Sequence, residues 1–224
     1  MTGKIRKVVL TFTDRTDLYY VQHSTNINKH WADKRGYDYL LIDGKINKML
    51  IPEDRSIHWS KILACIQTLN LYDVVIWVDD DAVLLDNKVH NLSTKYYGSD
   101  VNMIVSADYQ QVSKFNAGVM IMFKNPRLIN KLVNVYHDSK YQDYYYQYPY
   151  EQKAINDAFH EPNISKIYNY DDKRYFIDGL LVLDEYIING DKGPHVMHLA
   201  TTHNEIRTEK FYRIWLSIQE NEIF

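Results

Sequence analysis

DVVIWVDDDAVLL, residues 73–85, sets an unbroken β-branched and aromatic run directly ahead of three carboxylates. Residues 73–78 read as a strand buried on both faces, the pattern of a parallel sheet. Such a strand delivers Asp79, Asp80 and Asp81 to its C-terminal edge, where open α/β sheets bind ligands. Adjacent carboxylates repel one another, so the cluster needs either full solvation or a cation. In extended geometry residues 79 and 81 point the same way and can share one hard divalent ion, while Asp80 points away to hydrogen-bond elsewhere in the site. The plain alternative is a solvated turn, but three successive carboxylates between VVIWV and AVLL are not ordinary turn chemistry.

Two strand–helix units precede this strand. Residues 5–12 (IRKVVLTF) predict a buried strand, and the polar break at 13–17 predicts the cap of a helix carrying Tyr20, Ile27 and Trp31, with Gly36 as its stop. Residues 38–43 predict a second strand. A helix over 56–70 follows, with Trp59, Ile62, Leu63, Ile66 and Leu69 on one face and Lys61 opposite. This alternation argues for an α/β fold with a mixed, mainly parallel central sheet flanked by helices.

Beyond the triplet, strands are expected at 101–106 and 117–123. Asn125-Pro126 opens a helix bearing Leu128, Ile129, Leu132, Val133 and Tyr136. A tyrosine-dense stretch runs to 150 and a short helix spans 150–160. Strands at 180–184 and 195–199 precede a last helix over 205–219, with Phe211, Ile214, Trp215 and Ile218. There is no internal repeat or Pro/Gly-rich boundary, so a single domain over 1–224 is the expectation.

Composition narrows the function. The chain has 224 residues, 46% hydrophobic and 25% charged, with a formal net charge of −3, which excludes a disordered or fibrous chain and a strongly basic surface for nucleic acid. The single cysteine, Cys65, suits a reducing compartment, and no apolar run reaches the length of a membrane span. The expectation is a soluble, cytoplasmic chain, or a part of a larger soluble polypeptide. Twenty tyrosines stand against 8 glycines and 5 prolines, and tyrosine suits polar ligands such as sugars. The sequons at Asn91 and Asn163 carry no weight in so asparagine-rich a chain.

Two enzyme classes place D-x-D at such a strand end. Asp79, Asp81 and Val83 satisfy the D-x-D-x-[TV] pattern of haloacid-dehalogenase-type phosphatases, but there the motif ends the first core strand. In nucleotide-sugar glycosyltransferases of the GT-A fold, D-x-D follows the nucleotide pocket, as the two preceding strand–helix units require. Further motifs occur in the order of that family: Trp59-Ser60-Lys61, Asp79-x-Asp81, Phe115-Asn116-Ala117-Gly118-Val119, Glu151-Gln152 and His198-Leu199-Ala200. From the first strand to about residue 200 the chain resembles the glycogenin and lipopolysaccharide galactosyltransferase group and the GMA12/MNN10-type transferases. It has a fainter likeness to glycosyltransferase domains encoded by large algal viruses.

The resemblance implies a glycosyltransferase that uses Mn²⁺ or Mg²⁺ and moves a hexosyl or deoxyhexosyl unit from a UDP- or dTDP-sugar to a glycan or glycoprotein acceptor, with retention. It implies Asp79, Asp81 and His198 as metal ligands, although a strand histidine is otherwise a core residue; an imidazole tilts the choice toward Mn²⁺. His195, on the opposite side of an extended strand, is the second choice. Thr11, Phe12 and Thr13 are expected at the nucleotide, assisted by Tyr39, with Asp80 nearby. Lys61 is either a surface lysine or a fixed cation at the diphosphate. Asp108 and Asn116 are expected at the sugar, with Glu151 and Gln152 lining the reacting face; Glu151 is otherwise a favourable first-turn charge. Ala200 departs from the family's usual glycine. The cluster Tyr141, Tyr144, Tyr145, Tyr146, Tyr148 and Tyr150 is expected as an acceptor rim. A non-catalytic sugar- or nucleotide-binding module is the further alternative.

Overall fold

The computed structural model describes residues 3–108, 112–159, 175–184 and 187–220. The sequon at Asn163 and the end of the predicted 150–160 helix lie outside them.

Nine strands and six helices alternate among these residues. The strands are β1 (Lys7–Thr13), β2 (Asp38–Asp43), β3 (Val74–Val78), β4 (Ala82–Leu84), β5 (Met103–Ala107), β6 (Phe115–Phe123), β7 (Tyr175–Ile177), β8 (Leu180–Leu183) and β9 (Val196–His198). The helices are α1 (Tyr19–Lys34), α2 (Ser60–Leu71), α3 (Lys88–Tyr96), α4 (Pro126–His137), α5 (Glu151–Phe159) and α6 (Asn204–Gln219). Seven strands form one sheet in the order β2-β1-β3-β6-β5-β8-β7. β1, β2 and β3 run parallel, as do β5 and β8, while β6 and β7 are antiparallel to their neighbours. The expected mixed, mainly parallel sheet is present.

Strand alternation divides the core. Val8 and Leu10 of β1, with Val75 and Trp77 of β3, pack under α2, α4 and α5. Val9, with Val74, Ile76 and Val78, packs under α1 and α3. That period of two is what a doubly covered sheet requires. A smaller cluster joins α1 to α6 through Tyr20, Ile27, Phe211 and Ile218. In β6 the alternation changes parity: Phe115 and Ala117 share a face with Met120 and Met122. The register with β5 slips between Ile104 and Ser106, so a bulge sits inside Phe115–Val119 and re-aims its first residues.

Several local expectations are corrected. The polar break at 13–17 does not cap α1, whose N-cap is Leu18 without a side-chain bond. Thr13 and Arg15 turn to Asp80, Thr16 to Asp43, and Asp17 to Lys45. The 56–70 helix starts as a 3₁₀ turn, Ile57–Trp59, with Ser56 accepting from the His58 N–H. Its buried residues are Ser60, Lys61, Ile62, Ala64, Cys65, Thr68 and Leu69, so Ile62 and Leu69 of the expected face are buried and Lys61 is buried with them rather than opposing them.

Candidate active site

The acidic triplet is held by its backbone before its side chains are considered. Ser24, Asn28 and Trp31 stand at i, i+4 and i+7 on α1, one face of a helix. Ser24 Oγ donates to the Asp80 carbonyl at 2.7 Å, Asn28 Nδ2 to the Ala82 carbonyl at 2.9 Å, and Trp31 Nε1 to the Asp86 carbonyl at 2.6 Å. β3 ends at Val78, so the triplet is a turn rather than a continued strand, and the Asp79 N–H donates to the Gly118 carbonyl.

β4 and β9 pair antiparallel as a separate ribbon with His198 opposite Ala82, which brings the imidazole beside Asp81. His198 Nε2 lies 3.1 Å from Asp81 Oδ1 and 3.8 Å from Asp79 Oδ2. Its Nδ1 donates to Asn189 Oδ1 at 2.6 Å, which turns Nε2 toward the carboxylates. One ligand atom from each of Asp79, Asp81 and His198 lies within 4.8 Å of the others. Two carboxylates and one oriented imidazole are a donor set that could hold a divalent cation. The ring also explains Gly118: a Cβ there would fall 2.1 Å from His198 Cε1.

Each acid of the triplet has its own cation. Lys61 Nζ is 3.1 Å from Asp79 Oδ1 and 2.8 Å from Glu151 Oε1. Arg15 forks onto both oxygens of Asp80, at 2.6 and 3.1 Å, and Arg207 donates to Asp81 Oδ2 at 2.9 Å. Burial works against the charge on Lys61, but Asp79 and Glu151 outweigh it and raise its pKa. Burial also opposes the charge on Asp81, yet His198 and Arg207 hold its carboxyl well below the usual range. At Asp80 burial prevails, reinforced by the charge of Asp81, and the pKa rises. Lys61→Met strands two carboxylates at low exposure, and breaking a buried pair typically costs about 3–5 kcal/mol. Urea denaturation is expected to show a loss of that order, and an unchanged midpoint would remove Lys61 from this role.

Above the triplet lies a cavity of about 510 Å³. Phe12, Thr13, Arg15, Asn116, Glu151 and Gln152 line it, with Ala200 and Arg207. Its rim carries Tyr148 and the stacked pair His58–Tyr150, with ring centroids 4.3 Å apart and planes within 7°. Asn156 fastens α5 beneath: its Oδ1 accepts from the Lys114 and Phe115 N–H groups and its Nδ2 donates to the Phe115 carbonyl. Gln152, one turn earlier, accepts from the Ala117 N–H at 2.9 Å and donates to Ser113 Oγ.

A solved glycosyltransferase involved in glycosylation of the major capsid of PBCV-1 matches over 93% of this chain and 99% of its own, with TM-score 0.66 and 15% identity. The fold is GT-A. The glycosyltransferase GlyE of Streptococcus pneumoniae matches over 99% of this chain and 65% of its own, with TM-score 0.53 and 11% identity. The galactosyltransferase LgtC, solved with donor and acceptor sugar analogues, matches over 94% and 95%, with TM-score 0.50 and 14% identity. No protein-family model matches the sequence, nor does any curated protein sequence.

Within this GT-A frame the structure gathers most of the expected site residues. Asp79, Asp80, Asp81, Lys61, Phe12, Thr13, Asn116, Glu151, Gln152 and His198 all line the one cavity. Three others do not line it. Thr11 is buried, its hydroxyl donating to the Val78 carbonyl. Tyr39 pairs with Val9 near the start of β2, whereas the site lies at the C-terminal strand edge. Asp108 is buried and accepts from the Ser113 N–H. His195 is turned to Asp86 at 2.5 Å, away from the cluster.

The tyrosine rim shrinks as well. Tyr141 is in the core, Tyr144 bonds Asp157, Tyr145 packs edge-on to Trp59 under the Arg55 guanidinium, and Tyr146 is exposed outside the cavity lining, leaving Tyr148 and Tyr150 at the cavity. Sequence reasoning missed Arg15, Arg207, His58 and Trp77, whose Nε1 donates to Asp79 Oδ1 at 2.7 Å. Trp77 had a signal, two residues before Asp79 on a strand. Arg15 and Arg207 had none, because only the fold brings them to the triplet.

Proposed function

We propose that the chain is a divalent-metal-dependent glycosyltransferase, moving a hexosyl or deoxyhexosyl unit from a UDP- or dTDP-sugar to a glycan or glycoprotein acceptor with retention. The observation that carries this reading is the convergence of Asp79, Asp81 and His198 on the floor of the cavity of a GT-A fold. The three side chains would hold Mn²⁺ or Mg²⁺, which as a Lewis acid would neutralise charge developing on a leaving diphosphate. Phe12 and Thr13 would flank the nucleotide; the Phe12 ring already rests over Gly44, where a Cβ would lie 2.8 Å from its Cζ. Tyr148 and Tyr150 would offer flat faces to an acceptor sugar.

The carboxylates of the floor favour retention. An inverting enzyme needs a base placed to take the acceptor's proton opposite the leaving group. Asp79, Asp80, Asp81 and Glu151 are instead each held by Lys61, Arg15 or Arg207. In front-face transfer no such base is required: the sugar–phosphate C–O bond breaks, the acceptor oxygen bonds the same carbon, and the departing phosphate takes the acceptor's proton. Asn116, Glu151 and Gln152 would then orient the sugar. The phosphatase alternative needs its D-x-D at the end of the first core strand, and β3 is third in the chain. The lone Cys65 is buried and unpaired, in keeping with work in a reducing, cytoplasmic setting; no helix among the described residues is long and apolar enough to cross a membrane.

Calorimetry with UDP, with and without Mn²⁺, followed by a screen of nucleotide sugars for Mn²⁺-dependent hydrolysis, tests the reading. Metal-dependent UDP binding with turnover of at least one sugar is expected. Binding without turnover of any donor would favour a binding module, and phosphate release from simple esters a phosphatase.

A further inference from the structure

Arg207 is the most heavily anchored side chain near the triplet, and none of its bonds is explained by packing alone. It is buried in the first turn of α6. Its Nε donates to the Leu199 carbonyl at 2.8 Å, one NH2 donates both to the Ala200 carbonyl at 2.7 Å and to Asp81 Oδ2 at 2.9 Å, and NH1 reaches Asn204 Oδ1 at 3.1 Å. Both carbonyls belong to the residues directly after His198, and the Leu199 N–H in turn donates to the Asp81 carbonyl. One guanidinium thus fixes the Asp81 carboxylate against the strand end that carries the imidazole. It occupies Oδ2, and Asp81 is left with Oδ1 toward His198.

From this geometry we infer that Arg207 is a positioning residue that restricts Asp81 to one-oxygen ligation and so sets the ion preference of the centre. The inference rests on the metal site proposed above. A carboxylate limited to one oxygen suits Mn²⁺ or Mg²⁺, which take about six ligands, and disfavours Ca²⁺, which takes 6–8 and accepts bidentate carboxylates readily. Freeing Oδ2 removes that restriction. Loss of the Arg207 charge by itself affects both ions alike, as does any general loosening of the fold, so the ratio of the two affinities isolates the effect.

The test titrates Mn²⁺ and Ca²⁺ separately into the full chain with UDP present, for wild type, Arg207→Met and Arg207→Lys. Wild type is expected to prefer Mn²⁺. In Arg207→Met the Mn²⁺-to-Ca²⁺ affinity ratio is expected to fall about tenfold, the lower end of what removing a ligand-orienting partner costs. The electron paramagnetic resonance spectrum of bound Mn²⁺ is expected to change with it. Arg207→Lys keeps the charge but lacks the fork that spans Asp81 and two carbonyls, so it shifts the ratio the same way and decides the matter if Arg207→Met does not fold. A ratio unchanged in the folded variants overturns the inference and leaves the metal site standing. Absence of Mn²⁺ binding by wild type overturns both.

Discussion

Asp81→Asn is expected to lower Mn²⁺-dependent turnover of a UDP-sugar by about a thousandfold, the several kcal/mol a metal contributes to transition-state charge stabilisation. The amide keeps the shape of the carboxylate but loses its charge at the point where three interactions meet. Oδ1 faces His198 Nε2 at 3.1 Å, Oδ2 holds Arg207, and the ligand atoms of Asp79 complete the cluster. The same change leaves the Arg207 guanidinium buried without its counter-charge. Breaking a buried pair costs about 3–5 kcal/mol, so a lower melting temperature should accompany the lost activity. Hydrolysis of the donor and thermal unfolding, followed on one preparation, separate the two effects. Turnover above a tenth of wild type in a folded Asp81→Asn protein would sink the metal-centre assignment.

Gly118→Ala should damage the same site, although it adds one methyl group. The backbone at Gly118 needs no left-handed conformation; the constraint is space, since the new Cβ would lie 2.1 Å from His198 Cε1 and 2.6 Å from its Nδ1. His198 is buried and tied through Nδ1 to Asn189, so the ring must leave its place or the bulge in β6 must shift. Overpacking of this kind costs about 1–3 kcal/mol. A displaced imidazole would remove one of the three proposed metal ligands, and a loss of Mn²⁺ affinity of at least about tenfold is expected. The double variant Gly118→Ala/His198→Ala, compared with His198→Ala alone, discriminates the cause: once the ring is gone the added methyl should cost little stability, while the metal affinity stays lost. If the methyl costs as much without the ring as with it, the damage lies in the bulge or against Asn116 rather than in the ring contact.

The buried strands and the acidic triplet were legible because their signals are local. Val74–Val78 is apolar on both faces, and the alternation of strand and helix before it dictates a parallel start to the sheet. The order of motifs then supplied Asn116, Glu151, Gln152 and His198, all of which reach the cavity. What escaped was set by tertiary partners. Lys61 lies on α2 at a position that looked exposed from the Trp59/Ile62/Ile66 periodicity, yet Asp79 and Glu151 draw it into the core. Arg15 read as part of a capping segment, and its partner Asp80 is 65 residues away. Tyr144 and Tyr145 carried no period, so nothing local told them from Tyr148 and Tyr150. Asp79 and Asp81 come together as expected, but on a turn gripped by α1 rather than on an extended strand.

That grip has an engineering consequence. Ser24, Asn28 and Trp31 read only carbonyl and N–H groups of residues 80, 82, 84 and 86, from positions i, i+4 and i+7 on one helix, and touch none of the acidic side chains. The path of the turn is therefore held by α1 separately from the charges it displays, which answer to Lys61, Arg15 and Arg207. A residue of another type at 79 or 81 would keep this backbone support, and its fit would then turn on the counter-charge it offers Lys61 or Arg207.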